Sequence, residues 1–122
     1  MDTKELKDRT KRFALNVLVL IEELPKTSAG FAIAKQLSRC GTSVGANYRS
    51  ACRAKSKADF IAKIEIVEEE ADESCYWLEL IIEGNLIKNE KPKKLLKEAD
   101  ELTAIFTATG KTTKEHHSKF KK

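Results

Sequence analysis

The chain has 122 residues; 41% of them are hydrophobic and 34% charged, and only 5 Gly and 2 Pro interrupt it. This length suits a single domain with a core of its own, and the composition is that of a globular rather than a disordered chain. Because a β-sandwich or β-barrel needs many more turn-forming residues, the composition argues against those classes and predicts an all-α fold of long, charged helices.

The first predicted helix runs from about Thr3 to Leu24 and ends at Pro25. Its apolar residues recur at the spacings of one helical face, and they are Leu6, Phe13, Val17, Leu20 and Leu24. The segment 13–21 is apolar almost all round, although Asn16 interrupts it, and it is far too short to span a membrane. A helix without a polar face is normally covered on several sides, so we expect a partner subunit to contact this helix.

The second predicted helix begins between Ser28 and Phe31 and ends near Cys52. Its apolar stripe alternates threes and fours like a coiled-coil seam, and it consists of Phe31, Ala34, Leu37, Gly41, Val44, Tyr48 and Ala51. Glycines inside a helix, here Gly41 and Gly45, cost helix propensity that tight packing must offset. We therefore expect another helix to approach this one closely.

The third predicted helix starts at Ser56, because Ser followed three residues later by Asp59 is a variant of the capping box. Its stripe runs to a stop at Gly84 and Asn85, and it contains Phe60, Ile64, Val67, Ala71, Cys75, Leu78 and Ile82.

The fourth predicted helix has Pro92 in its first turn. Its stripe consists of Leu95, Leu96, Ala99, Leu102, Ile105 and Phe106. Beyond Gly110 the chain becomes polar and basic, so we expect a bundle domain over residues 1–110 and a frayed or extended basic tail over residues 111–122. Long helices joined by short loops predict an antiparallel up-down four-helix bundle.

Charge is segregated along the chain. Residues 26–63 carry 8 basic and 1 acidic side chains, whereas residues 64–90 carry 1 basic and 9 acidic ones. Clustered cations suit a phosphate backbone, so the leading hypothesis is a non-catalytic bundle that binds RNA or DNA. The candidate binding residues are Arg39, Arg49, Arg53, Lys55, Lys57 and Lys63, with Lys4, Lys7, Arg9, Lys11 and Arg12 as further candidates.

Two other interpretations of these charges stay open. The basic second helix can instead neutralise the acidic third helix within one subunit, and pairing of this kind is about as common as nucleic-acid binding. The polar faces can also contact a partner protein, in which case the chain is an interaction scaffold.

Five residues at helical spacing are candidates for a packing or oligomer seam, and they are Gly41, Asn47, Tyr48, Phe60 and Trp77. Tyr48 and Trp77 can stack on bases, but aromatic residues at this spacing more often belong to a core. A lone polar residue such as Asn47 can fix register or oligomer state on a packed seam, and a solvent-facing position is the alternative.

No pattern in the sequence predicts an enzyme, a cofactor or a metal site. The acidic run 68–73 lacks the Glu-x-x-His pair of di-metal bundles, and the only histidines, His116 and His117, lie together outside the predicted core. Gly41 and Gly45 lie within a helical pattern rather than in a phosphate-binding loop.

The cysteines and the N-terminus bear on the compartment. Cys40, Cys52 and Cys75 have no metal-ligand spacing, and no secretory signal is visible at the N-terminus. We therefore expect a cytoplasmic protein with reduced thiols and no membrane association.

The segment 36–60, which reads QLSRCGTSVGANYRSACRAKSKADF, resembles the signature region of a bacterial four-helix-bundle family. That family was first noticed as open reading frames inside intervening sequences of ribosomal RNA. It includes the accessory variability determinant proteins of diversity-generating retroelements, which assist a reverse transcriptase. The resemblance extends from Phe13 to about Phe106 and includes the segments 69–73 and 76–80.

The resemblance implies an up-down bundle that assembles as a cyclic homo-oligomer, a homopentamer, with a basic surface for nucleic acid and a reverse transcriptase as one kind of partner. The residues that match family positions are Arg39, Asn47, Lys55, Ser56 and Phe60. Many members have Asn-Ile-Ala-Glu-Gly where this chain has NYRSA at 47–51, so no role built on that Glu and Gly transfers here. No catalytic residue carries over.

Overall fold

A computed structural model describes residues 1–121, with side chains through His117. This part of the chain forms four α-helices: α1 (Thr3–Ile21), α2 (Ser28–Ala51), α3 (Lys57–Glu83) and α4 (Lys91–Lys121). Consecutive helices pack against each other, and α4 also packs, more sparsely, against α1. The predicted all-α class is therefore confirmed. No helix in the described part of the chain is long and apolar enough to cross a membrane.

Side-chain caps fix the helix starts. Asp2 and Thr27 cap α1 and α2, and the Ser56 hydroxyl caps α3 by accepting a hydrogen bond from the Asp59 backbone N–H at 3.0 Å. The Asp59 carboxylate in turn accepts a hydrogen bond from the Lys55 backbone N–H at 3.2 Å. These bonds satisfy N–H groups that the helix itself leaves unpaired, so the predicted start of α3 is confirmed.

The end of α3 is a Schellman motif. The Leu86 N–H donates to the Ile81 carbonyl at 2.9 Å, and the Asn85 N–H donates to the Ile82 carbonyl at 3.1 Å. Asn85 has φ 53°, whereas Gly84 has an ordinary helical φ of −84°. The predicted stop is confirmed, and Asn85 is the residue in the left-handed region, which Asn tolerates better than most residues.

The core is a single cluster to which all four helices contribute. The predicted stripes of α1 and α4 supply Phe13, Val17 and Phe106, which are almost fully buried. Phe31, however, is 62% exposed, so its assignment to the buried stripe of α2 is wrong. Gly30 packs so closely on the preceding connection that an added Cβ would lie 1.8 Å from the Pro25 carbonyl oxygen, and this seating turns Ile33 inward instead.

Glycines let α1 and α2 approach closely, as predicted. A Cβ added at Gly41 would lie 2.8 Å from a methyl of Val17, and one added at Gly45 would lie 3.3 Å from the Thr10 hydroxyl. Because the later position on α2 faces the earlier position on α1, the two helices run antiparallel.

α4 continues through Gly110 to Lys121, so the frayed or extended tail expected after Gly110 is wrong for the described residues; residue 122 lies outside them. Gly110 is buried and would place a Cβ 3.5 Å from Ile64. The Lys114 ammonium pairs with Glu65 of α3 at 2.7 Å, and the Thr113 hydroxyl donates to the Thr109 carbonyl at 2.7 Å. Contacts with α3 therefore stabilise the continuation of α4 beyond Gly110. The division of the chain at residue 110 stays a prediction.

Candidate nucleic-acid interface

The antiparallel order of the helices gathers positive charge at one end of the bundle. The start of α1, the end of α2, the start of α3 and the end of α4 meet there, in segments 1–12, 46–65 and 107–117. These segments, which we call the basic end, contain 12 Lys and Arg against 6 Asp and Glu. The remaining segments whose side chains are described, 13–45 and 66–106, contain 8 basic against 13 acidic residues. The fold therefore adds α1 and α4 to the basic block of α2.

Arg39 of α2 lies outside the basic end and is neutralised by α3. Its guanidinium donates to Glu70 at 3.1 Å and also to Glu73. Partial burial raises the pKa of Glu73, but hydrogen bonds from Arg39 and Trp77 outweigh that effect and hold the pKa below its usual value. For Arg39 the structure therefore has the internal pairing that was the alternative to nucleic-acid binding.

Two more candidate cations are compensated. The Lys63 ammonium donates to Asp59 at 2.6 Å within α3. The Arg9 guanidinium donates through Nε to Glu98 at 2.7 Å and through one terminal nitrogen to Glu101 at 2.9 Å, which ties α1 to α4. The hydrogen bond to Glu98 raises the pKa of Arg9 further above its usual value, despite partial burial.

Four of the six leading candidate cations are left without a salt bridge in the described part of the chain. Arg49, Arg53, Lys55 and Lys57 are exposed, and none of them forms a salt bridge with the described residues. The charge of these side chains is therefore available to a partner.

Two adjoining grooves bring these cations together. One groove lies between α1 and α2, with Lys7 and Lys11 on its first wall and Arg49 on its second. The other follows the turn from α2 to α3 and is lined by Arg53 and Lys55. Ala46 and Arg49 line both grooves, so the surface is continuous.

We call the cations of these two grooves that form no salt bridge within residues 1–117 the basic band, and they are Lys7, Lys11, Arg49, Arg53 and Lys55. Lys63 also lines the second groove but pairs with Asp59. Lys7 and Lys11 are exposed and, like the other three, form no salt bridge with the described residues. The sequence predicted Lys7 and Lys11 only as further candidates. Their position on the wall opposite Arg49 depends on the antiparallel contact of α1 with α2, which the sequence does not contain directly.

The aromatic candidates for the seam are not free to stack on bases in the basic band. Tyr48 is buried, with its ring 5.3 Å from that of Phe106, and burial together with the neighbouring Cys52 raises its pKa to about 12. Trp77 is half-buried on α3, and its indole N–H donates to Glu73 at 3.1 Å. Tyr48 belongs to the core, and Trp77 lies outside the basic end.

The other three seam candidates occupy different environments. Gly41 is buried where α1 crosses α2, and Phe60 is half-buried against the core. The half-buried Asn47 side chain donates to the Ser43 carbonyl of its own helix at 2.8 Å, so a local bond satisfies its amide. A role for Asn47 in register or assembly stays a prediction.

Thiols and carboxylates are not grouped as ligands. Cys40 and Cys75 are buried, Cys52 is half-buried, and all three are free. Burial, aided by the nearby Asp100 carboxylate, raises the pKa of Cys75 to about 12, which keeps its thiol protonated at neutral pH. Among the residues whose side chains are described, no group of three or more His, Cys, Asp or Glu could hold a metal ion.

An apolar face remains uncovered on α1. Leu15, Leu18 and Val19 are 56%, 44% and 63% exposed, and helical spacing places them side by side on the solvent face of α1. Beside them a shallow groove between α1 and α4 is floored by Leu20 and Leu95. This face is the central apolar segment for which the sequence predicted an additional partner.

Comparison with known proteins places the chain in a family. The model of the 23S rRNA-intervening sequence protein family matches residues 3–108. A solved structure, that of a protein with unknown function from the S23 ribosomal protein family of Bacteroides thetaiotaomicron, is 37% identical and has a TM-score of 0.79. The match covers 86% of this chain and 97% of that chain. No curated protein matches the chain, and neither of the two descriptions names an enzyme. The chain therefore belongs to the 23S rRNA-intervening sequence protein family.

Proposed function

We propose that this protein is a non-catalytic module that binds nucleic acid through the basic band. The observation that carries the proposal is the difference between two sets of cations. Arg9, Arg39 and Lys63 are held by carboxylates, whereas the five cations of the basic band line continuous grooves without a salt bridge among the described residues. Uncompensated cations in a groove attract a polyanion and release its counter-ions on binding.

Salt dependence is the direct test of this proposal. Binding of the purified protein to fluorescent RNA and DNA of mixed sequence would be measured by anisotropy between about 50 and 300 mM salt. If all five cations contact phosphates, log K against log salt has a slope of about −4 to −5 on duplex DNA. A slope near zero, or no binding at the lowest salt, would count against nucleic-acid binding.

A matched pair of variants tests the location of the site. Arg49→Gln/Arg53→Gln/Lys55→Gln removes three cations of the basic band, and the magnitude of the negative slope is expected to decrease by about 3. Lys35→Gln/Lys88→Gln/Lys97→Gln removes the same charge from exposed positions outside the basic end and is expected to leave the slope nearly unchanged. Equal losses in the two variants would mean that net charge, rather than the basic band, governs binding.

We also propose that the chain assembles as a cyclic homo-oligomer, a pentamer, in which a second copy covers the apolar face of α1. The exposed Leu15, Leu18 and Val19 support this proposal, because contiguous apolar residues on a surface commonly mark an interface. Sedimentation equilibrium is expected to give the mass of five chains. Leu15→Glu/Leu18→Glu is expected to give the mass of one, with Phe31→Glu as a control for an exposed apolar residue elsewhere.

The alternative function is an interaction scaffold for a partner protein, with a reverse transcriptase as one candidate. If the purified chain is monomeric, no second copy covers the apolar face of α1. That face is then available to a partner protein, which favours the scaffold. A pull-down from nuclease-treated lysate tests this alternative. A specific protein that is retained by the wild type and lost with Leu15→Glu/Leu18→Glu supports it, and an eluate without one rejects it.

A further inference from the structure

The basic band presents cations without an exposed aromatic ring among the side chains that the structure describes. Among the described side chains of the basic end, the aromatic residues are Tyr48, which is buried, and Phe60, which is half-buried. The exposed rings of Phe31 and Tyr76 lie in segments outside the basic end. A polyanion in the band therefore meets cations and small side chains such as Ala46, together with the carboxylates of Asp8 and Asp59 at the edges of the grooves.

This composition bears on the kind of nucleic acid that binds. Proteins that hold single strands combine a cationic groove with aromatic rings on which successive bases stack. A double helix hides its bases, so a protein that grips only its backbone needs cations and no stacking surface. The basic band has the second set of features.

Charge density favours the duplex further. A duplex carries one negative charge per about 1.7 Å of axis, and each phosphate neutralised contributes about 0.9 to the salt slope, against about 0.7 for a single strand. The cations of the basic band lie on α1, on α2 and on the connection from α2 to α3. Because packed helix axes are about 8–10 Å apart, the band extends across at least that distance on a fixed backbone. A flexible strand must be ordered to follow such a fixed array, whereas a duplex is already stiff.

We infer that the basic band binds double-helical nucleic acid through phosphate contacts, in preference to single strands of the same length and without reading base sequence. This inference rests on the proposed nucleic-acid binding and specifies the class of ligand.

The test compares a duplex of about 20 base pairs with each of its strands alone, at one fixed salt concentration and with the full-length protein. The duplex is expected to bind about tenfold more tightly than either strand, and an unrelated duplex of different composition is expected to bind within about threefold of the first. Tighter binding of a single strand, or strong discrimination between the two duplexes, would overturn the inference and leave nucleic-acid binding intact. Binding of none of the oligonucleotides at low salt would overturn the proposed function itself.

A variant with an added aromatic ring provides a second test of the preference for duplex. Ala46 is exposed and lines both grooves, so Ala46→Tyr adds a ring to the basic band without removing a cation. This variant is expected to tighten single-strand binding about fivefold or more and to narrow the preference for duplex. Ala32→Tyr, at an exposed position of α2 outside the basic end, is the control and is expected to change neither. Unchanged single-strand binding in Ala46→Tyr would show that stacking does not limit it and would overturn the inference.

Discussion

Two arginines of α2 show how the basic end differs from the rest of the bundle. Arg39 and Arg49 are both exposed and lie on the same helix, but Arg39 faces Glu70 and Glu73 of α3, whereas Arg49 lines a groove with Lys7 and Lys11 of α1. The register between helices therefore decides whether a cation is compensated, and composition alone does not. The basic end keeps like charges close together, so packing beneath its surface must offset their repulsion.

The largest expected effect comes from the core beneath the basic end. Phe106 is fully buried with its ring against Tyr48, and Phe106→Ala is expected to lower the free energy of unfolding by about 3–5 kcal/mol. Urea denaturation measures it. Ile105→Ala, at the neighbouring half-buried position, is the control and is expected to cost less. A loss below about 1 kcal/mol for Phe106→Ala would mean that the ring contributes little to this end.

A second expected effect appears at alkaline pH and involves one buried weak acid in each region. Burial raises the pKa of Tyr48 at the basic end and of Cys75 outside it, in both cases to about 12. In the unfolded chain these groups ionise near their ordinary values of 10.0 and 9.0. The stability that each neutral group supports is therefore complete below about pH 9 and is lost as the pH rises toward 12.

Thermal unfolding measured from pH 8 to 11 tests this expectation. Cys75→Ala is expected to flatten the decline above pH 9, and Tyr48→Phe is expected to flatten it above pH 10. If neither variant changes the slope, other groups dominate the alkaline loss.

A smaller effect is expected at the contact of α1 with α4, where helix packing is sparse. Arg9 joins α1 to Glu98 and Glu101, and its side chain is only 23% exposed. Arg9→Met is expected to lower the free energy of unfolding by about 1–2 kcal/mol, because charged hydrogen bonds at a partly buried site are lost. Arg39→Met removes a more exposed pair, which solvent screens, and is expected to cost less than Arg9→Met. The opposite order would contradict this assignment.

The smallest expected effect tests the comparison itself. Glu70→Gln/Glu73→Gln releases Arg39, but Arg39 lies outside the basic end, so the salt slope for nucleic-acid binding is expected to stay nearly unchanged. Glu79→Gln/Glu83→Gln makes the same change in net charge at exposed positions that hold no cation among the described residues. A slope that steepens with the first pair and not with the second would place Arg39 among the phosphate contacts and contradict the confinement of the site to the basic band.

Local patterns in the sequence predict much of the fold. The caps and stops at Ser56 and Asn85 are local, because their hydrogen bonds join residues within five positions of each other. The close approach of α1 and α2 follows from Gly41 and Gly45, since glycine in a helix needs a packing reason. Such features depend on short-range chemistry that the sequence contains directly.

Features that depend on contacts between helices could not be predicted from local sequence patterns. Phe31 fits the spacing of its stripe, but Gly30 seats the start of α2 on the preceding connection and leaves Phe31 in solvent. Gly110 suggests a stop, but its contact with Ile64 and the ion pair of Lys114 continue α4. The same limit applies to the candidate site, because the pairing of Arg39 and the exposure of Arg49 both depend on the register of neighbouring helices.

An even number of antiparallel helices has a practical consequence for experiments with this protein. Residue 1 and the last described turn of α4 both lie at the basic end, so a purification tag or fluorescent protein fused to either terminus would sit beside the basic band. The connections 22–27 and 84–90 lie at the opposite end of the molecule. Immobilisation through a cysteine introduced in one of those connections would present the basic band to solution.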